Sequence, residues 1–167
     1  MQAIREATAK PIIATNRLQA EGGKCLGSER ERIDLLVQAS EYADLVDIEL
    51  QAELREEFIS QVSRPVIVSY HDFQGMPEID ELAAIKGRMK KAGAAIAKIA
   101  VTPQNLKDDL DLLGFLLAAD MPICVIAMGD LGRHLRAMAP LYGSALAYGY
   151  IRAVSYTHLT LPTIYSV

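Results

Sequence analysis

Ala94-Ala95-Ile96-Ala97-Lys98-Ile99-Ala100-Val101 is an apolar run of strand length with a single ammonium group in its middle. Small and branched apolar residues flank the lysine on both sides, the pattern of a parallel strand covered on both faces. A charge in that setting costs desolvation free energy unless it is paired or its pKa falls toward neutrality. A lysine of lowered pKa is a nucleophile for carbonyl groups. The plainer alternative is a lysine at a strand end that reaches solvent or a carboxylate.

Working outward, similar β-rich runs cover Pro11 to Asn16, Leu45 to Leu50, Pro65 to Tyr70, Pro122 to Met128 and Ala145 to Ile151. Helical patterns separate them. Ser28-Glu29-Arg30-Glu31 offers an N-cap and capping box for a helix whose apolar stripe is Ile33, Leu35, Leu36, Ala39 and Tyr42. Further helices are predicted over Ala52 to Gln61, Glu78 to Ala92, Asn105 to Ala119 and Gly132 to Ala139. Strands alternating with helices imply right-handed βαβ units, in an open doubly wound sheet or a (β/α)8 barrel.

The loops discriminate between the two. The first strand runs into Arg17-Leu18-Gln19-Ala20-Glu21-Gly22-Gly23 rather than a GxGxxG turn, and there is no Walker A motif. Unusual polar residues sit at strand ends or inside strands: Arg17 after the first, His71 and Asp72 after the third, Lys98 within the fourth. Barrel enzymes draw their sites from the carboxyl ends of several strands. A whole barrel takes about 250 residues and eight strands, so a chain of 167 residues with six such runs reads as an open sheet or an incomplete barrel.

Composition supports one globular domain, with 51% hydrophobic and 23% charged residues. The net charge of −4 gives no bias toward nucleic acid. Cys25 and Cys124 stand far apart, with no CxxC or Cys/His cluster, which suits a reducing cytoplasm and suggests neither disulfide nor zinc. The region Leu112 to Met128 is broken by Asp120 and Pro122 and is no membrane span; Met1 to Lys10 lacks a signal-peptide core. Ile4-Arg5-Glu6-Ala7 reads as the end of a helix. From Val154 the chain reads Val-Ser-Tyr-Thr-His-Leu-Thr-Leu-Pro-Thr, similar to a translated sequencing adapter. The expected organisation is therefore a partial barrel over residues 1–153 and a non-native, disordered tail over 154–167, with both ends of the domain cut.

Val66-Ile67-Val68-Ser69-Tyr70-His71-Asp72-Phe73 puts a histidine at the mouth of a buried strand. Histidine gives and takes protons near neutral pH, although one that merely bonds a loop carbonyl is the plain alternative. A strand-borne lysine and a nearby histidine are the two groups needed to remove a proton beside a ketone.

Taken together, Ile13-Ala14-Thr15-Asn16-Arg17 with Glu21-Gly22-Gly23, Val46-Asp47-Ile48-Glu49-Leu50, Ser69-Tyr70-His71-Asp72-Phe73, Lys98-Ile99-Ala100-Val101, and Gly143-Ser144 before Tyr148-Gly149 resemble type I 3-dehydroquinate dehydratase. They follow that family's order from about Lys10 to Arg152. The resemblance implies an incomplete (β/α)8 barrel holding strands three to eight, and an enzyme of the shikimate pathway that needs no metal or organic cofactor. It implies that Lys98 forms the imine with 3-dehydroquinate and that His71 is the general acid and base. Arg136 and Arg17 match substrate-binding arginines, with Arg133 a weaker choice than its neighbour. Asp47 and Glu49 match carboxylates lining the barrel; strand parity puts both on one face, where they order or offset the Arg17 and Lys98 charges. Met128 and Tyr148 resemble apolar residues near the pocket. Family members often form homodimers. An aldolase- or transaldolase-like Schiff-base barrel, a non-catalytic α/β binding domain and an inactive barrel fragment are the competing readings.

Overall fold

The structure is a computed structural model that describes residues 1–149. Five strands form one parallel sheet: β1 (Ile13–Thr15), β2 (Leu45–Glu49), β3 (Val66–Asp72), β4 (Ile96–Val101) and β5 (Ile123–Ala127). Their order in the sheet is their order in the chain. Right-handed crossovers between sequential strands put the intervening helices on one side, as in a run of consecutive βα units of a barrel; a doubly wound sheet reverses its strand order instead. The helices are α1 (Gln2–Ala7), α2 (Glu29–Ser40), α3 (Arg55–Gln61), α4 (Ile79–Lys91), α5 (Leu106–Leu117) and the short α6 (Leu135–Met138). Helix α2 packs on β1 and β2, α4 on β3 and β4, and α5 and α6 on β5.

The register divides the strand residues into two sets. Val46, Ile48, Val66, Val68, Ala97, Ile99, Val101, Ile123, Val125 and Ala127 join the helix residues Ile33, Leu36, Phe58, Leu82, Ile85, Met89, Leu112, Phe115 and Leu116 in one apolar core. The alternate residues share the opposite face. There Glu49 pairs with Ser69, Ser69 with Lys98 and Lys98 with Cys124, while His71 pairs with Ala100. Alternation along each strand thus sends the apolar set to the helices and collects the ionisable set on the other face.

The capping box at Ser28 forms as its spacing requires: the Ser28 side chain accepts from the Glu31 backbone, and the Glu31 carboxylate accepts in return from Ser28 N–H. The stripe of α2 differs from the expected one in two places, since Leu35 is 54% exposed whereas Arg32 is 2% exposed. Helix α3 begins at Arg55 rather than Ala52. The segment predicted as one helix from Gly132 splits into 3-10 turns at Leu131–His134 and Ala139–Tyr142 around α6. Close approach explains the first turn: a Cβ on Gly132 would lie 2.3 Å from that of Ala127, so only glycine lets the chain fold back onto the end of β5. Of the sixth predicted strand, the described part is a bridge at Leu146, beside Ala145 N–H donating to the Ile123 carbonyl. Residues 150–151 of that strand and the adapter-like stretch 154–167 lie outside the described residues.

One buried carboxylate has no hydrogen bond among the described residues. Asp109 on α5 is 2% exposed, and the basic side chain nearest it among the described residues is that of His134, at 3.7 Å. Burial raises its pKa, with His134 opposing and Asp108 adding to the rise. A carboxyl whose folded pKa lies above its unfolded value, about 3.9, costs stability as pH rises past that value. Asp109→Asn is expected to match the parent chain near pH 4 and to exceed its unfolding free energy by about 1 kcal/mol at pH 8, read from urea denaturation at the two pH values.

Candidate active site

Lys98 sits in the middle of β4, 4% exposed, and its charge is paired. Its Nζ donates to Asp47 Oδ2 at 2.9 Å and stands 4.4 Å from the centre of the Tyr148 ring. Asp47 Oδ2 also accepts from Arg17 Nη2 at 3.0 Å, and its Oδ1 accepts from the Ser69 hydroxyl at 2.6 Å. Burial alone would raise the pKa of Asp47. The ammonium of Lys98, the guanidinium of Arg17 and the Ser69 hydrogen bond outweigh it and hold the carboxyl below its ordinary value. Arg17 reaches further: Nη1 donates to Ser69 Oγ at 2.6 Å and to Glu49 Oε1 at 3.1 Å. Asp47, Glu49, Arg17 and Lys98 therefore form one connected cluster, and Ser69, a residue the sequence did not single out as a site residue, bridges Arg17 and Asp47 within it.

His71 lies one register step beyond Ser69 on the same face of β3. Its Nδ1 is 2.7 Å from Glu21 Oε2, and both side chains are nearly buried. Glu21 is the second residue that sequence reasoning passed over, although it belongs to the Glu21-Gly22-Gly23 motif; two glycines after an acid were the available signal. The structure gives the reason for both glycines. Gly22 ends the Gln19–Glu21 turn at φ 84, in the left-handed region, and a Cβ on Gly23 would fall 1.7 Å from the Arg17 carbonyl oxygen. This tight turn brings Arg17 and Glu21, four residues apart, to Asp47 and to His71 respectively.

Arg136 stands apart from this cluster. It is exposed, and with Gly129, Asp130 and Arg133 it lines a cavity of about 270 Å³ beyond the carboxyl end of β5. Arg136 has no charge partner among the described residues, whereas Arg133 lies 3.7 Å from Asp130. Cys124, next to Lys98 in the register, has a thiol that burial pushes up to about 11 and that donates to the Leu146 carbonyl, so it is no thiolate at neutral pH. The Tyr148 hydroxyl is buried without a partner among the described residues, and burial raises its pKa. Among those residues no group of three or more His, Cys, Asp or Glu could hold a metal ion, and no helix is long and apolar enough to cross a membrane.

A family model described as type I 3-dehydroquinase matches residues 1–167. The chain belongs to this family. It is 49% identical to the 3-dehydroquinate dehydratase of Methanothrix thermoacetophila over 148 residues, covering 89% of this chain and 65% of that protein. The Methanococcoides burtonii protein of the same name is 43% identical over 153 residues, with the same coverage. Among solved structures, a type I 3-dehydroquinate dehydratase of Clostridium difficile with covalent modified comenic acid superposes with a TM-score of 0.80 at 35% identity, over 87% of this chain and 62% of that one. The Enterococcus faecalis 3-dehydroquinate dehydratase gives 0.76, also at 35% identity, over 84% and 63%. The chain thus spans just under two thirds of the length of these relatives, and its five sequential βα units are an incomplete barrel of the type I fold.

The ion cluster should carry part of the fold's stability. Asp47→Asn leaves Lys98 and Arg17 without a shared counter-charge, and breaking a buried pair in this way costs about 3–5 kcal/mol. Because the Asp47 carboxyl is depressed in the fold, its contribution is present above its unfolded pKa and is lost as pH falls through the folded value. Chemical denaturation of the variant and the parent is expected to show the full deficit at pH 7, shrinking steadily in the acid range below about pH 4.

Proposed function

We propose that the protein from which this chain comes is a 3-dehydroquinate dehydratase, a hydro-lyase of the shikimate pathway that converts 3-dehydroquinate to 3-dehydroshikimate and water through an imine on Lys98. The observation that carries the reading is a buried lysine on the same sheet face as a histidine held by a carboxylate, in a chain of this family. In this reading the amine of Lys98 adds to the C3 ketone and expels the carbonyl oxygen as water. The protonated imine draws electrons from the adjacent C–H bond, so the C2 proton becomes acidic enough for a histidine to remove. His71, oriented by Glu21, takes that proton. The enamine then expels the C1 hydroxyl, which leaves as water with the proton returned by His71. Hydrolysis of the product imine frees 3-dehydroshikimate and Lys98. The residues supply each proton and electron pair, and no cofactor enters the scheme.

Arg136 is assigned to the substrate carboxylate, since a guanidinium with no charge partner among the described residues, at the rim of a cavity, is suited to bidentate carboxylate binding. Arg17 is assigned to the substrate as well, with Asp47 and Glu49 ordering it and Asp47 ordering Lys98. A homodimer acting in the cytoplasm completes the proposal.

Borohydride trapping tests it. Incubation of the whole chain with 3-dehydroquinate, reduction and peptide mass spectrometry are expected to find an adduct on the peptide containing Lys98, and none in Lys98→Met. In His71→Ala the adduct should persist while formation of 3-dehydroshikimate falls by about 10²–10⁴. A folded chain that gives no adduct, here and after the strands present in the longer relatives are added, overturns the imine mechanism.

A further inference from the structure

Arg32 lies outside the apolar stripe expected for α2, yet it is buried, and every direction of its guanidinium is used. Its Nε and Nη2 make a fork to Glu29 at 2.8 and 2.9 Å, while Nη1 donates to Glu49 Oε2 at 2.9 Å and to the Asn16 carbonyl. Glu49 is wholly buried, and its other oxygen, Oε1, accepts from Arg17 Nη1 at 3.1 Å and from Leu18 N–H at 2.8 Å. One carboxylate thus ties together three things: a helix on the far side of the sheet, the guanidinium beside Lys98, and the first residue of the turn that presents Glu21 to His71.

We propose that Arg32 is a positioning residue for the site, holding Glu49 in the one orientation that fixes both Arg17 and the Leu18-to-Glu21 turn. The charges alternate along the chain of contacts from Glu29 through Arg32, Glu49, Arg17 and Asp47 to Lys98. Each internal member touches only opposite charges. Removing Arg32 leaves Glu49 Oε2 buried without its donor, and a carboxylate so placed takes a proton or turns toward Arg17. Either response weakens the hold of Oε1 on Leu18 N–H and shifts Arg17 against Asp47. Arg32 touches no reacting atom. It acts through Glu49, from outside the pocket, on both the lysine and the histidine sides of the site.

The catalytic meaning of this role rests on the dehydratase reading, but the structural role does not, and two measurements keep them apart. The first needs no substrate: amide hydrogen exchange of the whole chain. In Arg32→Met the Leu18 amide is expected to exchange at least about tenfold faster, with the β2 amides of Val46 and Ile48 unchanged. The second is the rate of Lys98 adduct formation with 3-dehydroquinate and borohydride. It should fall about tenfold in Arg32→Met and in Glu49→Gln, and by no more in the double variant than in Glu49→Gln alone, because the arginine works through that carboxylate. Arg32→Lys keeps one charge but cannot serve Glu29 and Glu49 together, so it should recover only part of either effect. Unchanged Leu18 exchange in a folded Arg32→Met chain, or trapping losses that simply multiply in the double variant, would overturn the proposal. If Arg32→Met does not fold, the same two readouts on Arg32→Lys decide it, a threefold change supporting and none refuting. Failure of the parent chain to trap substrate counts against the dehydratase reading alone, and Leu18 exchange then decides the role of Arg32.

Discussion

The carboxylate of Asp47 is the contact on which the inner face of this sheet depends. It lies on β2 between a guanidinium that arrives from the loop after β1 and an ammonium that projects from β4, and it meets both within 3.0 Å. Without it Lys98 would carry its desolvation cost with no counter-charge among the described residues, and Arg17 would be left with Glu49 alone. With it, Ser69 and Glu49 complete a network in which positive and negative groups alternate. The strand spacing of a parallel sheet makes this possible, since residues in register on neighbouring strands sit about 5 Å apart with their side chains on the same side.

The same network explains how one apolar chain tolerates so many ions inside. The sheet separates its two tasks by parity. One set of alternate residues is aliphatic and fuses with α2, α3, α4 and α5 into the core that supplies stability. The other set is polar and is held by the strands it rides on, which are rigid because the first set is packed. The consequence is geometric: Lys98 and His71 are placed by backbone register, and each meets a carboxylate from a different element, Asp47 from β2 and Glu21 from the turn after β1.

Much of this was legible in the residues. The apolar runs around Lys98, Val66 to Ser69 and Pro122 to Ala127 mark parallel strands, and the alternation with capped helices marks βα units. The absence of a glycine-rich phosphate turn after the first strand, with polar residues at several strand ends, points away from a doubly wound sheet. Asp47 and Glu49 fall on one face by parity alone, and Lys98 and His71 stand out by being ionisable where strands should be apolar. Leu35, expected in the apolar stripe, is exposed, while Arg32, which the stripe left out, is buried; a stripe chosen by residue type cannot see that a carboxylate waits beneath the arginine. The helix expected after the fifth strand breaks into short turns because the contact of Gly132 with Ala127 is a tertiary one.

What the sequence by itself determined is the order of βα units, the apolar face of each element and the identity of the ionisable groups, because these follow from local periodicity and from the cost of burying charge. Only the tertiary structure decided which of those groups meet. Glu21 and His71 are separated by 50 residues, Asp47 and Lys98 by 51, and Arg17 and Ser69 by 52. Pairings over such distances are set by strand register and by the path of one tight glycine turn. Neither is written in any single segment; both come from the whole sheet packing against its helices.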